Sequence, residues 1–138
     1  ATLGNEAALV RAYLELMLMR MPDRLQFGID VPAGLHGTRF PSMALLTLVE
    51  NAIRHGIDPS EEGGRIDVRA WREGDDRLML RVSDTGVGLR ETAAPGTGLA
   101  NLRERLAMFF GDRATVELAE QAPHGLVVTL GCPLGAGR

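Results

Sequence analysis

The chain contains no lysine; all fifteen of its basic residues are arginine. That absence excludes every site that needs a lysine amine, including the Walker-type phosphate loop and the lysine of eukaryotic-type protein kinases. Cysteine is nearly absent too. Cys132 stands alone, so no internal disulfide forms, and a reducing compartment fits. The three histidines, His36, His55 and His124, are widely separated and make no zinc pattern with one cysteine. No long hydrophobic run exists. The most apolar stretch, Leu14 to Met21, is broken by Glu15 and Arg20 and is too short to span a bilayer. The first residues lack the basic segment, apolar run and cleavage site of a signal peptide. Nor does one sign of charge dominate: acids and bases are interspersed and the net charge is −3, which gives no extended basic surface for nucleic acid. The chain reads as a cytoplasmic domain, a reading compatible with a membrane anchor elsewhere in a longer parent.

With 138 residues, 45% of them hydrophobic, the chain suits one compact domain. Asn5 to Arg20 has helical spacing in Ala8, Leu9, Ala12, Tyr13, Leu16 and Met19. Leu14, Met17, Leu18 and Met21 widen its apolar surface, so this helix should be covered on more than one side. It packs either within the domain or as half of a helical hairpin or dimer bundle. Arg24 to Val31 alternates like a strand. Pro41 and Ser42 open a second helix that runs to about His55, with Gly56 as its stop. "RIDVRAWRE" and "RLMLRVSD" form a hairpin around Gly74-Asp75-Asp76. A third helix covers Leu99 to Phe110 with Leu99, Leu102, Leu106 and Phe109 on one face, and two strands near 115–119 and 126–130 finish the domain. Hairpin-linked strands with long helices predict an α+β fold: one mixed, mostly antiparallel sheet with helices layered on one face and a helix in front.

Three features carry chemistry. The second helix is apolar along Met43, Leu46, Val49 and Ile53, but Thr47, Asn51 and His55 form a polar line on it, with Glu50 and Arg54 beside them. Asn51 is a poor helix former. It is either satisfied by a neighbouring loop or kept as a hard oxygen ligand for Mg²⁺. Asp84 ends a strand just before Gly86 and Gly88. It is either a turn former or an acceptor for an exocyclic amine such as adenine N6, with the glycines letting backbone approach a flat ring. Gly96-Thr97-Gly98 opens the third helix, where unpaired N–H groups and the positive dipole end suit phosphates. A Rossmann fingerprint fits poorly, because Asn101 stands where its third glycine would be. Taken in order, the three supply a metal ligand, a base reader and a phosphate cradle.

In that combination the chain resembles the GHKL (Bergerat) ATP-binding family, which includes histidine kinases, the Hsp90 and gyrase ATPase domains, and MutL. "LVENAIRHG" resembles the asparagine box, "DTGVG" the first glycine box and "GTGLANLRERL" the second. Tyr13-Leu14, Arg20, Asp23-Arg24-Leu25, Asp30, Pro32, Pro41 and the ending "FGDRATVELAEQAPHGLVVTLGCP" extend the likeness to catalytic domains of LytS-type sensor histidine kinases over nearly the whole chain. The resemblance implies a two-layer α/β sandwich that binds ATP and Mg²⁺. By it, Asn51 would be the Mg²⁺ ligand, Asp84 would read adenine N6, and Gly86 and Gly88 would border the adenine. Gly96, Thr97, Gly98 and Leu99 would form the phosphate wall and lid hinge. Arg54 would be a phosphate contact and His55 a ring beside the nucleotide. It also implies transfer of the γ-phosphate to a histidine, a response regulator downstream, and a homodimeric parent kinase.

Three departures refine this reading. Thr47 occupies the place of the glutamate base of gyrase-like members, and Glu50 lies about 100° round the helix from Asn51. Phosphotransfer to a side chain therefore fits better than rapid hydrolysis. The lid "LRETAAP" is short. No phosphoacceptor box is apparent, so residues 1–22 are read as the end of a dimerisation and phosphoacceptor helical region and 23–138 as the ATP-binding domain. Two alternatives stand beside a histidine kinase: an anti-sigma-factor-type serine kinase on the same fold, and a degenerate nucleotide-binding module.

Overall fold

The computed structural model describes residues 1–86 and 98–134, with the side chains of Gly98 and Leu99 outside the description. Helix α1 (Leu3–Arg20) begins on Thr2, whose hydroxyl accepts from the Asn5 N–H at 3.3 Å, and ends where Pro22 forbids another turn. Its buried stripe is Leu3, Glu6, Val10, Leu14 and Met17, at the three- and four-residue steps of a helix. Leu9, Leu16 and Met19 point the other way and are 45%, 55% and 78% exposed. Among the described residues, α1 is thus covered on one side, and not on the several that its composition suggested.

Strand β1 (Leu25–Asp30) pairs parallel with β2 (Gly64–Glu73). The crossover between them contains α2 (Ala44–Asn51) and a π-helical turn (Ala52–Ile57). Strands β3 (Arg77–Asp84), β4 (Thr115–Glu120) and β5 (Leu126–Pro133) complete a five-stranded sheet in the order β1-β2-β3-β5-β4, every pair but the first antiparallel. Helix α3 (Gly98–Phe110) links β3 to β4 and packs on α2, which packs in turn on α1. The inner face of the sheet is a set of apolar rows: Val68–Val82–Val128, and Ala70–Leu80–Leu130. Period-two alternation sends their neighbours outward, where Trp71 lies between the guanidinium groups of Arg69 and Arg81 at 5.3 and 5.1 Å. This is the expected two-layer α+β sandwich.

Three local expectations change. Helix α2 starts at Ala44, not at Pro41-Ser42, because Met43 sits in the left-handed region at φ 70° and supplies no side-chain cap. Gly56 does not stop the helix; the chain continues through the π turn to Ile57, closed by the Asp58 N–H donating to the Ile53 carbonyl at 2.8 Å. In α3, Phe110 is buried beside Leu102 and Leu106 while Phe109 is 37% exposed. Two four-residue steps from Leu102 lead to Phe110, so Phe110 takes the place on the buried face that the sequence reading gave to Phe109.

Both ends of the α2 segment are held by side chains from outside it. At the N-terminus, the two carboxylate oxygens of Glu6, 1% exposed, accept from the N–H groups of Met43 at 2.9 Å and Leu45 at 3.0 Å. At the C-terminal end, one guanidinium nitrogen of Arg24 donates to the carbonyls of Ile57, Asp58 and Ser60 at 3.2, 3.2 and 2.6 Å. An anion at the first turn and a cation at the last both complement the helix dipole. Glu6→Ala strands one buried donor, at Leu45, and one part-buried donor, at Met43, and a loss of about 2 kcal/mol of stability is expected from hydrogen bonds to a charged group. Urea denaturation of the two proteins measures it; an unchanged midpoint and slope would show that the cap is dispensable.

Candidate nucleotide-binding site

Asn51 is the last residue of α2, and the π turn that follows bends the chain toward the end of β3. The side chain is 3% exposed, and neither its amide oxygen nor its nitrogen has a hydrogen-bond partner among the described residues. A buried amide left unsatisfied costs about 1–3 kcal/mol, so its retention calls for a partner beyond the described residues. Asp84 is the only buried carboxylate in the inner rows of the sheet, among the described residues. It sits between Ile66 and Leu126, at a place that would hold an aliphatic residue if packing alone decided it. It is 3% exposed, and burial raises its carboxyl pKa above the ordinary aspartate value. The backbone N–H groups of Gly86 and Leu126 and the nearby His124 pull the other way. The Gly86 N–H donates to Oδ1 at 2.8 Å.

Asn51 and Asp84 share one small cavity. Its remaining walls are Leu48, Ala52, Val82, Leu126 and Val128, all apolar. The geometry explains two glycines. A Cβ on Gly56 would lie 2.8 Å from Asp84 Oδ1, and one on Gly86 would collide with the Gly56 carbonyl. The asparagine helix and the first glycine loop therefore meet backbone to backbone. Gly56 is a close-contact residue, a role that its place at the end of an apolar run did not announce.

The other sequence candidates spread around this centre. His55 is half-buried and Arg54 exposed in the π turn, and Glu50 is half-buried. Thr47 does not join the polar line as a free group: its hydroxyl donates to the Met43 carbonyl at 2.9 Å and accepts from Arg105 at 3.4 Å. Gly98 opens α3, as the glycine–helix pattern implied. Gly88, Gly96 and Thr97, and the side chain of Leu99, lie outside the described residues. Two participants escaped the sequence reading. Gln121 donates to the Asp84 carbonyl at 2.9 Å, and His124 Nδ1 lies 2.9 Å from the Gly86 carbonyl. Nothing in their spacing pointed to Asp84; only the pairing of β5 with β3 brings them there.

An apolar slot with one carboxylate and one amide fits a flat heterocycle with an exocyclic amine. Apart from the Asp84 carboxylate, Asn51 offers the one hard side-chain oxygen of this cavity, and no cluster of three or more metal-ligating side chains exists among the described residues. That donor set suits Mg²⁺ only as a shared ion completed by phosphate oxygens and water.

Comparison with known proteins agrees with this geometry. Residues 38–136 match the model of the family described as histidine kinase-, DNA gyrase B-, and HSP90-like ATPase. The sensor histidine kinase BtsS of Escherichia coli (strain K12) is 35% identical over 133 residues, covering 96% of this chain and 24% of that protein. The sensor histidine kinase/phosphatase LytS of Staphylococcus aureus (strain MRSA252) is 33% identical over 129 residues, covering 84% and 22%. The chain thus spans about a quarter of the length of these curated relatives. Among solved structures, the mycobacterial sensor histidine kinase MprB superposes with a TM-score of 0.63 at 21% identity, covering 94% of this chain and 95% of that one. Full-length ShkA in complex with AMPPNP superposes with a TM-score of 0.68 at 20% identity, covering 99% and 31%. These structures share the fold. With the family model matched over most of its length, the chain belongs to the histidine kinase-, DNA gyrase B- and HSP90-like ATPase family.

Proposed function

We propose that this chain is the ATP-binding catalytic domain of a sensor histidine kinase, and that it presents the γ-phosphate of Mg-ATP to a histidine outside the chain. The observation that carries the reading is the pairing of a buried amide, Asn51, unsatisfied among the described residues, with a buried carboxyl group, Asp84, in one apolar cavity. Asp84 accepts from adenine N6, between walls that include Val82 and Leu126. Asn51 gives its amide oxygen to Mg²⁺, which when bound neutralises phosphate charge. Gly86 and Gly88 border the ring, and Gly96, Thr97, Gly98 and Leu99 receive the phosphates at the start of α3. In this reading Arg54, exposed three residues after Asn51, contacts phosphate, and His55 lies beside the nucleotide. Thr47 is engaged by Met43 and Arg105, which supports transfer by positioning over water activation by a base at that place.

The acceptor belongs to the helical region of the parent kinase, of which residues 1–22 are the end and against which 23–138 act. A homodimeric, membrane-anchored parent and a response regulator downstream complete the proposal.

Asp84→Asn is expected to weaken binding of a non-hydrolysable ATP analogue roughly a hundredfold, the scale of a lost hydrogen bond to a charged group. Calorimetry checks this, and near-normal affinity would remove Asp84 from adenine recognition. The same variant should leave the ligand-free domain as stable or more stable at neutral pH. The sign follows from the raised pKa: the cost of burying the charge is absent below the unfolded aspartate value, 3.8, and develops as pH rises through the folded one. The stability gap between variant and wild type should therefore close on acidification, as followed by urea denaturation across pH; a gap that widens in acid contradicts the assignment. Asn51→Ala should abolish the strengthening of ATP-analogue binding by Mg²⁺ while changing Mg-free binding little. Equal losses with and without the ion would make Asn51 a structural residue.

A further inference from the structure

The turn between β4 and β5 does more than connect strands. Three of its residues touch the backbone of the Asp84 segment. Gln121 Nε2 donates to the Asp84 carbonyl at 2.9 Å. His124 Nδ1 lies 2.9 Å from the Gly86 carbonyl. Gly125, at φ 125°, passes so close that a Cβ there would collide with the Asp84 carbonyl oxygen. A carbonyl only accepts, so His124 Nδ1 carries the hydrogen in this contact, and the imidazole donates whether neutral or charged.

Gly86 is held on both sides as a result. Its N–H donates to Asp84 Oδ1, and its carbonyl accepts from His124. Glycine has the softest backbone of any residue, and here nothing of its own fixes it. Rotation about Gly86 would swing the N–H away from Oδ1 and leave the carboxylate held by the Leu126 N–H alone. The carboxylate selects an amine only if its orientation is set before the ligand arrives.

The geometry points to His124 as a positioning residue for base selection. Its Nδ1–H fixes the Gly86 peptide, the Gly86 N–H fixes the Asp84 carboxylate, and that carboxylate discriminates adenine from a base with a carbonyl at the same place. Gln121 supports the same segment two residues earlier, at the Asp84 carbonyl. The inference rests on the adenine reading of Asp84 proposed above. His124 itself is exposed, so its loss removes a hydrogen bond without opening the core.

The test uses the 138-residue domain with His124→Ala and His124→Asn. Asparagine can place its amide N–H near the position of Nδ1–H, so it keeps the donor and loses the ring. Two quantities are measured: amide hydrogen exchange of Gly86 in the ligand-free protein, by NMR, and affinities for non-hydrolysable ATP and GTP analogues, by calorimetry. In His124→Ala, Gly86 exchange should accelerate and ATP-analogue affinity fall, each by about fivefold, the scale of one neutral hydrogen bond, and the preference for adenine should narrow. His124→Asn should return all three to within about twofold of wild type. Unchanged Gly86 exchange in His124→Ala overturns the inference, as does equal impairment in both variants. Exchange that responds as expected in a wild-type domain that binds neither analogue overturns the adenine reading and, with it, the selective role, leaving a latch on Gly86 alone.

Discussion

Two charged side chains, one at each end of a short helix, hold the site in place. The α2 segment is one eight-residue helix and a single π turn, too short to be stable alone. It has no capping side chain of its own at either end. Glu6 closes its N-terminus and Arg24 its C-terminal turn, and both come from the first twenty-four residues of the chain. Their effect is positional as much as energetic. A helix fixed at both ends can neither slide nor fray, so Asn51, at the junction of α and π geometry, is held at a set depth against β3. The same arrangement ties α1 to the buried cluster through Leu3, Val10, Leu14 and Met17.

Against this rigid segment the sheet presents a carboxylate where its apolar pattern would continue. Placing Asp84 between Ile66 and Leu126 is costly for a charge, as its raised pKa records. Cys132, further along the inner face, shows what that environment does to a group with no backbone donor to help it: burial pushes its thiol up to about 12. Asp84 is partly relieved by the N–H groups of Gly86 and Leu126. An unsatisfied amide and a strained carboxylate, side by side, are both local departures from what packing favours. Such departures concentrate where a fold has been kept for binding.

Much of the architecture was legible because its signals are periodic. "RIDVRAWRE" and "RLMLRVSD" were legible as the two strands of a hairpin, which put Asp84 at a strand end. Asn51 stood out as a poor helix former in an apolar run. The misreadings share one cause: tertiary contacts replacing local ones. Glycine after an apolar helix ordinarily marks its end, but Gly56 is there because Asp84 and Gly86 approach it from another strand. Ser42 looked like a cap, but the cap comes from Glu6 across thirty-seven positions of sequence. Gln121 and His124 carry no local mark at all; their role exists only through β-sheet register.

The cavity is assembled from pieces far apart along the chain. The bonds from Gln121 to Asp84 and from His124 to Gly86 close loops of 37 and 38 residues, and Asn51 reaches the same point by way of a parallel crossover. Long-range closures of this kind form late and together, once the sheet is in order. An unfolded or half-folded chain therefore has no fraction of this pocket to offer. A ligand that fits it binds the native state alone, and mass action then stabilises the fold by an amount that grows with the logarithm of the ligand concentration relative to Kd. The domain's melting temperature becomes, in that sense, a gauge of nucleotide concentration.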